Sequence, residues 1–450
     1  MTSTLGASRG AASGSPEPAA TSSARPSLTR VLRAGTTPGR LWLLLVGLVA
    51  LSLLWGAVAA WSVAQADSAA TDMATASEPL SVDAQQIYRS LSDADATATT
   101  AFLAGGVAPR AARLRYAADL ARVATDLQAA TAAAGSPAVR SRLSVLSVNL
   151  PVYAGEVETA RANNRLGLPL GAAYLREAST LMRATMLPAA RDVYTMENAH
   201  LAAVGRQATR LPILAVAAAA LIGVAFFLAQ RRLARRTHRV LNAGLVIASV
   251  VGVASLLWLL TAFGVARGDL LNARDRGSAP VEAFARADIA ALRARGDESL
   301  TLIARSGDDA FQQDFVSVRS QLGPGPGTLL GTAAAAAARG PGAGSAGAAK
   351  RDAPAWYSAH QRVRSLDNGG NYDGAVRLSI GSGANDSAAL FARLDADLVG
   401  GIARDQAAFA SGVRAGRGAF TGLEAGVIVA SLVMAVACAR GLTRRIAEYR

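Results

Sequence analysis

The chain has 450 residues, a net charge of +14, 51% hydrophobic residues, three histidines and one cysteine. Three short segments that flank apolar stretches hold 14 arginines against two acids, Glu17 and Glu448, and so carry +12 of that charge. The rest is nearly neutral. The basic balance therefore reports membrane topology and excludes nucleic acid as a partner, while a lone cysteine, Cys438, excludes a disulfide within the chain.

Residues 1–40 form a Ser-, Ala- and Gly-rich tail with Arg9, Arg25, Arg30, Arg33 and Arg40, expected to be disordered and cytoplasmic. Residues 41–64 are the first apolar stretch, about as long as the roughly 20 residues a helix needs to cross a bilayer. Ala64-Gln65-Ala66 has the form of a cleavage site, but the stretch exceeds the about 7–15 residues of a signal h-region, so an uncleaved anchor is expected.

Residues 65–210 read as an extracytoplasmic helical bundle. Leu80, Ala84, Ile87, Leu91, Ala94, Ala98 and Ala101 recur in steps of four and three, one apolar seam along a helix that Gly105-Gly106 and Pro109 end. Tyr116, Leu120, Val123, Leu127 and Ala130 repeat the spacing in a second helix. A third runs over residues 137–165. A fourth starts near Leu170, with Pro188 expected to kink it, and continues into the second span at 211–230.

The loop 231–239 has five arginines and no acid, which places it in the cytoplasm with both termini. A third span covers 240–266. A second extracytoplasmic bundle follows at 267–421, with a Gly-, Ala- and Pro-rich segment at 323–351 expected to be a flexible insert. Its last helix carries Phe391, Leu394, Leu398, Ile402 and Phe409 on one face and leads into the fourth span, 422–439, and the basic tail 440–450. The expected fold class is all-α: an integral membrane protein with four transmembrane helices and two extracytoplasmic bundles, laid out as two copies of span, bundle, span about 200 residues apart.

Chemistry is sparse. Glu197 and His200 make an E-x-x-H, but a carboxylate-bridged metal site needs a second, and none exists. The run Gly323-Pro324-Gly325-Pro326-Gly327 lacks the strand and the Lys-Ser/Thr of a phosphate loop. The spans hold almost no polar group at mid-membrane, which argues against transport. Small residues recur every fourth position at Ala215, Ala219 and Gly223 and at Gly422, Gly426 and Ala430, a pattern that suits close helix contact. No catalytic, cofactor-binding or metal residue is assigned, and no enzyme activity or cofactor is expected.

The segments Tyr88-Arg89-Ser90-Leu91-Ser92-Asp93-Ala94-Asp95, His360-Gln361-Arg362-Val363-Arg364 and Asn371-Tyr372-Asp373-Gly374-Ala375-Val376 resemble the four-helix sensor domains of bacterial chemoreceptors and histidine kinases. Those receptors carry a large cytoplasmic output domain, and this chain does not. Its whole layout is similar to an actinobacterial family of four-pass membrane proteins encoded with a glutamine-binding lipoprotein and protein kinase G. The resemblance implies a plasma-membrane signal transducer that relays amino-acid availability. Its partners would be the bilayer, an extracytoplasmic solute-binding lipoprotein, a cytoplasmic protein kinase and a second copy of the chain as a homo-oligomer. No functional residue carries over from it. The alternative is an accessory envelope protein that scaffolds a transport or secretion complex.

Overall fold

The computed structural model describes residues 37–237, 242–305 and 309–447, and every regular element among them is helical. The expected disordered tail lies almost wholly outside the described residues, as do His238 and the end of the last tail. Four rods long and apolar enough to cross a membrane organise the molecule: Leu41–Leu103, Leu170–Arg235, Ala243–Ala304 and Ser387–Arg444. Each joins a membrane span to an extramembrane helix. In chain order the helices of the first half are α1 Thr37–Asp72, α2 Glu78–Leu103, α3 Arg110–Ala133, α4 Pro137–Arg165, α5 Leu170–Leu181, α6 Leu187–Ala208 and α7 Ile213–Thr237. Those of the second half are α8 Ala243–Ala273, α9 Ala279–Ala304, α10 Ala310–Leu322, α11 Leu329–Ala337, α12 Ala343–Asn368, α13 Tyr372–Ile380, α14 Ser387–Gly418 and α15 Leu423–Ala447.

Four prolines stand inside the rods; Pro212 lies in a break ahead of Ile213, and the other three are handled in one way. Pro79, Pro188 and Pro280 each lie two residues beyond a single π-helical turn: Met73–Ser77, Met182–Met186 and Arg274–Ser278. A proline lacks the N–H that would bond four residues back and its ring crowds that carbonyl, so a wider turn lets the helix continue. The kink expected at Pro188 takes this form. Rods two and four instead break at the membrane boundary, over residues 209–212 ahead of Ile213 and at Ala419–Gly422, where Gly422 adopts φ +76°.

The first bundle packs the expected seams inward. Leu80, Ile87 and Leu91 of α2 meet Tyr116, Val123 and Leu127 of α3, with Leu143, Leu146 and Tyr153 of α4 and Met182 and Val193 of the second rod. In the second bundle Phe391, Leu394, Leu398 and Ile402 of α14 surround Phe284, Phe315 and Trp356.

The flexible insert expected at 323–351 is a correction, because this stretch holds α11 and the start of α12. Leu330, Ala333 and Ala337 are buried at helical spacing, and Ala346, Ala349 and Ala353 continue the pattern in α12. Alanine brings these helices close to α9 and α14, and the Asp405 carboxylate accepts the Gly342 N–H at 2.8 Å where α12 begins. Glycine and proline density records composition; the alanine spacing records the fold.

Within the membrane, α15 packs against both α1 and α8, and α1 packs against α7. Glycines set the approach. A Cβ on Gly56 would fall 2.3 Å from Ser431 Oγ, and one on Gly426 would fall 2.2 Å from the Trp258 ring. The expected small-residue contact row in the second span is only partly realised: Ala215 is buried, but Gly223 has nothing within 4 Å of where a Cβ would stand.

Candidate functional site between the two bundles

The helices α2 and α9 leave the membrane side by side and run parallel. Thr100 Oγ1 lies 3.1 Å from Ser299 Oγ, and Gly296 faces Ala96, so the two backbones come close. On either side of this line the seam is ionic. Arg89 reaches Asp288 through Nε at 2.8 Å and Asp395 through Nη2 at 2.8 Å, so one guanidinium of the first bundle grips two carboxylates of the second. Arg115 bridges Asp93 at 2.9 Å and the other Asp395 oxygen at 3.0 Å. Arg183, from the π turn of the second rod, pairs with Asp95 at 3.4 Å and with Asp297 across the seam.

Acids exceed bases here, and buried Asp119 finds no cation within salt-bridge reach among the described residues. Burial, with Asp93 nearby, pushes the Asp119 carboxyl up to about 7. Burial likewise lifts Asp288 to about 7 against the pull of Arg89, and Asp297 to about 6 against Arg183. Unlike these, Glu298 is held low: burial would raise it, but Arg295, His360 and Ser387 outweigh that. His360 Nδ1 lies 2.9 Å from Glu298 Oε2, its ring stacks on Phe315 at 3.5 Å, and Ser387 bonds Glu298 at 2.7 Å.

Beside the ionic line a groove opens between α6 of the first bundle and α9 and α10 of the second. It encloses about 650 Å³, and Tyr88, Arg191, Tyr194, Glu282, Arg286 and Arg293 supply its polar wall. Burial raises the Tyr88 hydroxyl, against the opposing charges of Arg191 and Arg293. Arg293 pairs with Asp314 at 2.8 Å and Arg286 with Glu282, whereas exposed Arg191 makes no ion pair among the described residues. A second cleft of about 170 Å³ shares Tyr88, Arg191 and Arg293 and reaches inward to Arg183 and Asp95. The groove thus runs from solvent to the ionic line.

The sequence singled out Glu197 and His200. Glu197 is buried and His200 exposed, and neither belongs to this groove. His360, with no acid near it in sequence, gains Glu298 through the fold. The seam residues carry one sequence signal: Arg89, Asp93 and Asp95 gather three charges within seven residues of α2. The partners of Arg89 in the second bundle, Asp288 and Asp395, lie about 200 and 300 residues away and carry no spacing signal.

Residues 69–205, which cover the first bundle, match the family described as an actinobacterial sensor domain. No curated protein matches, and no solved structure matches. The fold and this match define a multi-pass, helical membrane protein with a signal-sensing part outside the membrane. A sensor domain also suggests a role without catalysis.

Proposed function

We propose that the protein is a non-enzymatic transmembrane signal transducer. A small solute, or a solute-loaded binding lipoprotein, engages the groove between the bundles on the extracytoplasmic side, and the rods carry the change to a cytoplasmic partner such as a protein kinase. Amino-acid availability is the signal that the whole-chain resemblance favours. Arginine flanks at the described cytoplasmic ends support the orientation. The observation that carries the reading is continuity: groove, ionic line and membrane spans share α2 and α9, whose rods are unbroken through their π turns. An occupant of the groove touches residues of both bundles, so one that fits a single arrangement better biases their packing toward it. A packed seam answers such a bias by a discrete shift of helices. A buried charge network adds little net stability but fixes register, which suits an element with two arrangements.

The test places Thr100→Cys and Ser299→Cys on the full chain in lipid nanodiscs and follows the rate of their oxidative cross-linking. The only other cysteine, Cys438, is buried in the membrane. A solute-binding lipoprotein of the same cell, added with its solute, should change that rate by at least about threefold, with the empty lipoprotein having less effect. An Arg191→Gln variant should lose the response. An unchanged rate with loaded lipoprotein would sink the reading.

A further inference from the structure

The groove between the bundles is not uniform along its length. Its outer part of about 650 Å³ and its inner cleft of about 170 Å³ share Tyr88, Arg191, Ile289 and Arg293, which mark the neck where the two meet. Arg191 belongs to α6 of the first bundle and Arg293 to α9 of the second, so the neck gathers like charges from both bundles. Both act on the Tyr88 hydroxyl against the effect of burial, which places both charges within electrostatic reach of that hydroxyl.

The neck is short of negative charge. Arg286, on the outer wall, is matched within its own helix by Glu282. Arg293 pairs with Asp314 at 2.8 Å, but the two side chains are 50% and 46% exposed, so water screens that pair. Asp192, the neighbour of Arg191 in sequence, is turned to Arg142 of α4 at 3.2 Å. Asp95, at the inner end of the cleft, already accepts from Ser179 at 2.8 Å and pairs with Arg183. Arg191 itself makes no ion pair among the described residues, so one positive charge at the neck is left over. Beyond the neck the outer wall carries an apolar strip, Ile289 and Ala290 of α9, Val318 of α10 and Leu329 of α11.

We infer that the neck takes the carboxylate of a small organic acid whose apolar remainder lies along Ile289, Ala290 and Val318. A carboxylate only accepts hydrogen bonds, and its two oxygens match the fork of a guanidinium. Placed at the neck it lies between like charges of different bundles, so it replaces their repulsion with attraction across the seam. The remainder removes apolar surface from water in the wider part of the groove. A cation or a neutral molecule gains nothing from the spare charge. The inference rests on the sensing proposal for this groove and gives the chemical class of its small solute.

The test titrates the full chain in lipid nanodiscs by calorimetry, against empty nanodiscs, with isocaproate, isocaproamide, acetate and inorganic phosphate. Isocaproate should bind at least about tenfold more tightly than its amide, which has the same shape without the charge. It should exceed acetate by at least about tenfold as well, because acetate lacks the apolar remainder. Arg191→Gln alters an exposed position, so helix content and unfolding midpoint should stay unchanged while the preference for acid over amide falls to about threefold or less. Equal binding of acid and amide overturns the inference. So does phosphate bound as tightly as isocaproate, or an unchanged preference in Arg191→Gln. Cross-linking of Thr100→Cys/Ser299→Cys separates this inference from the sensing proposal. A response to loaded lipoprotein without any binding of isocaproate sinks the inference alone, whereas isocaproate binding with no cross-linking response to either ligand sinks the sensing proposal alone.

Discussion

Replacing Arg89 with Met removes the one guanidinium that touches Asp288, Asp395 and Asp93 together. Arg115 remains on Asp93 and Asp395 at 2.9 and 3.0 Å, so those two carboxylates keep a partner. The orphan is Asp288, whose side chain is 1% exposed and for which no other salt bridge is formed among the described residues. Breaking a buried pair from one side costs about 3–5 kcal/mol. Burial already holds Asp288 near 7, and without Arg89 it rises further and takes up a proton at neutral pH, which limits the cost. The lower end of that range, about 3 kcal/mol, is therefore expected, or about two decades in the opening equilibrium of the seam. Arg89→Met/Asp288→Leu removes the pair entirely and should return to within about 1 kcal/mol of the wild type, because an apolar replacement spares the desolvation of both charges. Hydrogen exchange of amides 84–98 and 283–297, on protein in nanodiscs at pH 7, reads these differences directly. The single variant should exchange about 100-fold faster and the double less than about tenfold faster. A single variant within about threefold of wild type would refute the assignment of the seam to this pair, as would a double variant no better protected than the single.

The pH dependence of the seam has a definite sign. Asp119 and Asp288 titrate near 3.8 when unfolded and near 7 when folded, so their contribution is fully present below about pH 4 and is lost as pH rises through 7. The extramembrane part should unfold at a lower temperature at pH 8.5 than at pH 5.5, and Asp119→Asn should reduce that difference; the reverse order would contradict the assignment. Gly277, in the π turn of the third rod, offers no room: an added Cβ falls 2.6–2.8 Å from the backbone and Cβ of Phe409. Gly277→Ala should therefore cost about 1–3 kcal/mol by forcing α14 away from the turn, read as a lowered unfolding midpoint, whereas an unshifted midpoint would mean the turn yields. For topology, cysteines at exposed Ser141 and Ser382 should react with an impermeant thiol reagent in intact cells, and one at Thr443 should not. Labelling at Thr443 in sealed cells would invert the orientation.

Much of the fold was legible because helix and membrane both write themselves into the sequence as period and length. Leu80, Ala84, Ile87, Leu91, Ala94, Ala98 and Ala101 are all buried, as their spacing implies. In the segment 323–351 glycine and proline content points to a loop, whereas the burial spacing of Leu330, Ala333 and Ala337 sets the helix. The candidate site was not legible. A cluster of charges on a helix does not say which partner it meets: Arg89 reaches Asp395 only because two bundles dock, and docking leaves no local period. The break in contact at Gly223 was hidden for the opposite reason: a small residue in a span looks like a contact until its neighbour is found missing.

The duplicated layout carries a sequence mark at its π turns. The π turns Met73–Ser77 and Arg274–Ser278 stand 201 residues apart, and each is followed by proline two residues on, giving Ser77-Glu78-Pro79 and Ser278-Ala279-Pro280. Both rods then end in register, at Leu103 and Ala304. The helices that share this mark are the two that run parallel through the seam. Their partners in each half differ, since rod two has a π turn before Pro188 whereas Ser387–Gly418 is unbroken. The paired element is thus the one that joins the bundles to each other and to the membrane. The groove combines the pair with unpaired elements: α2 and α9 supply part of its wall, α6 with Arg191 closes one side and α10 with the start of α11 the other. A repeat that keeps its central pair alike and lets the flanks diverge can hold one seam fixed while making a binding surface that neither half forms alone.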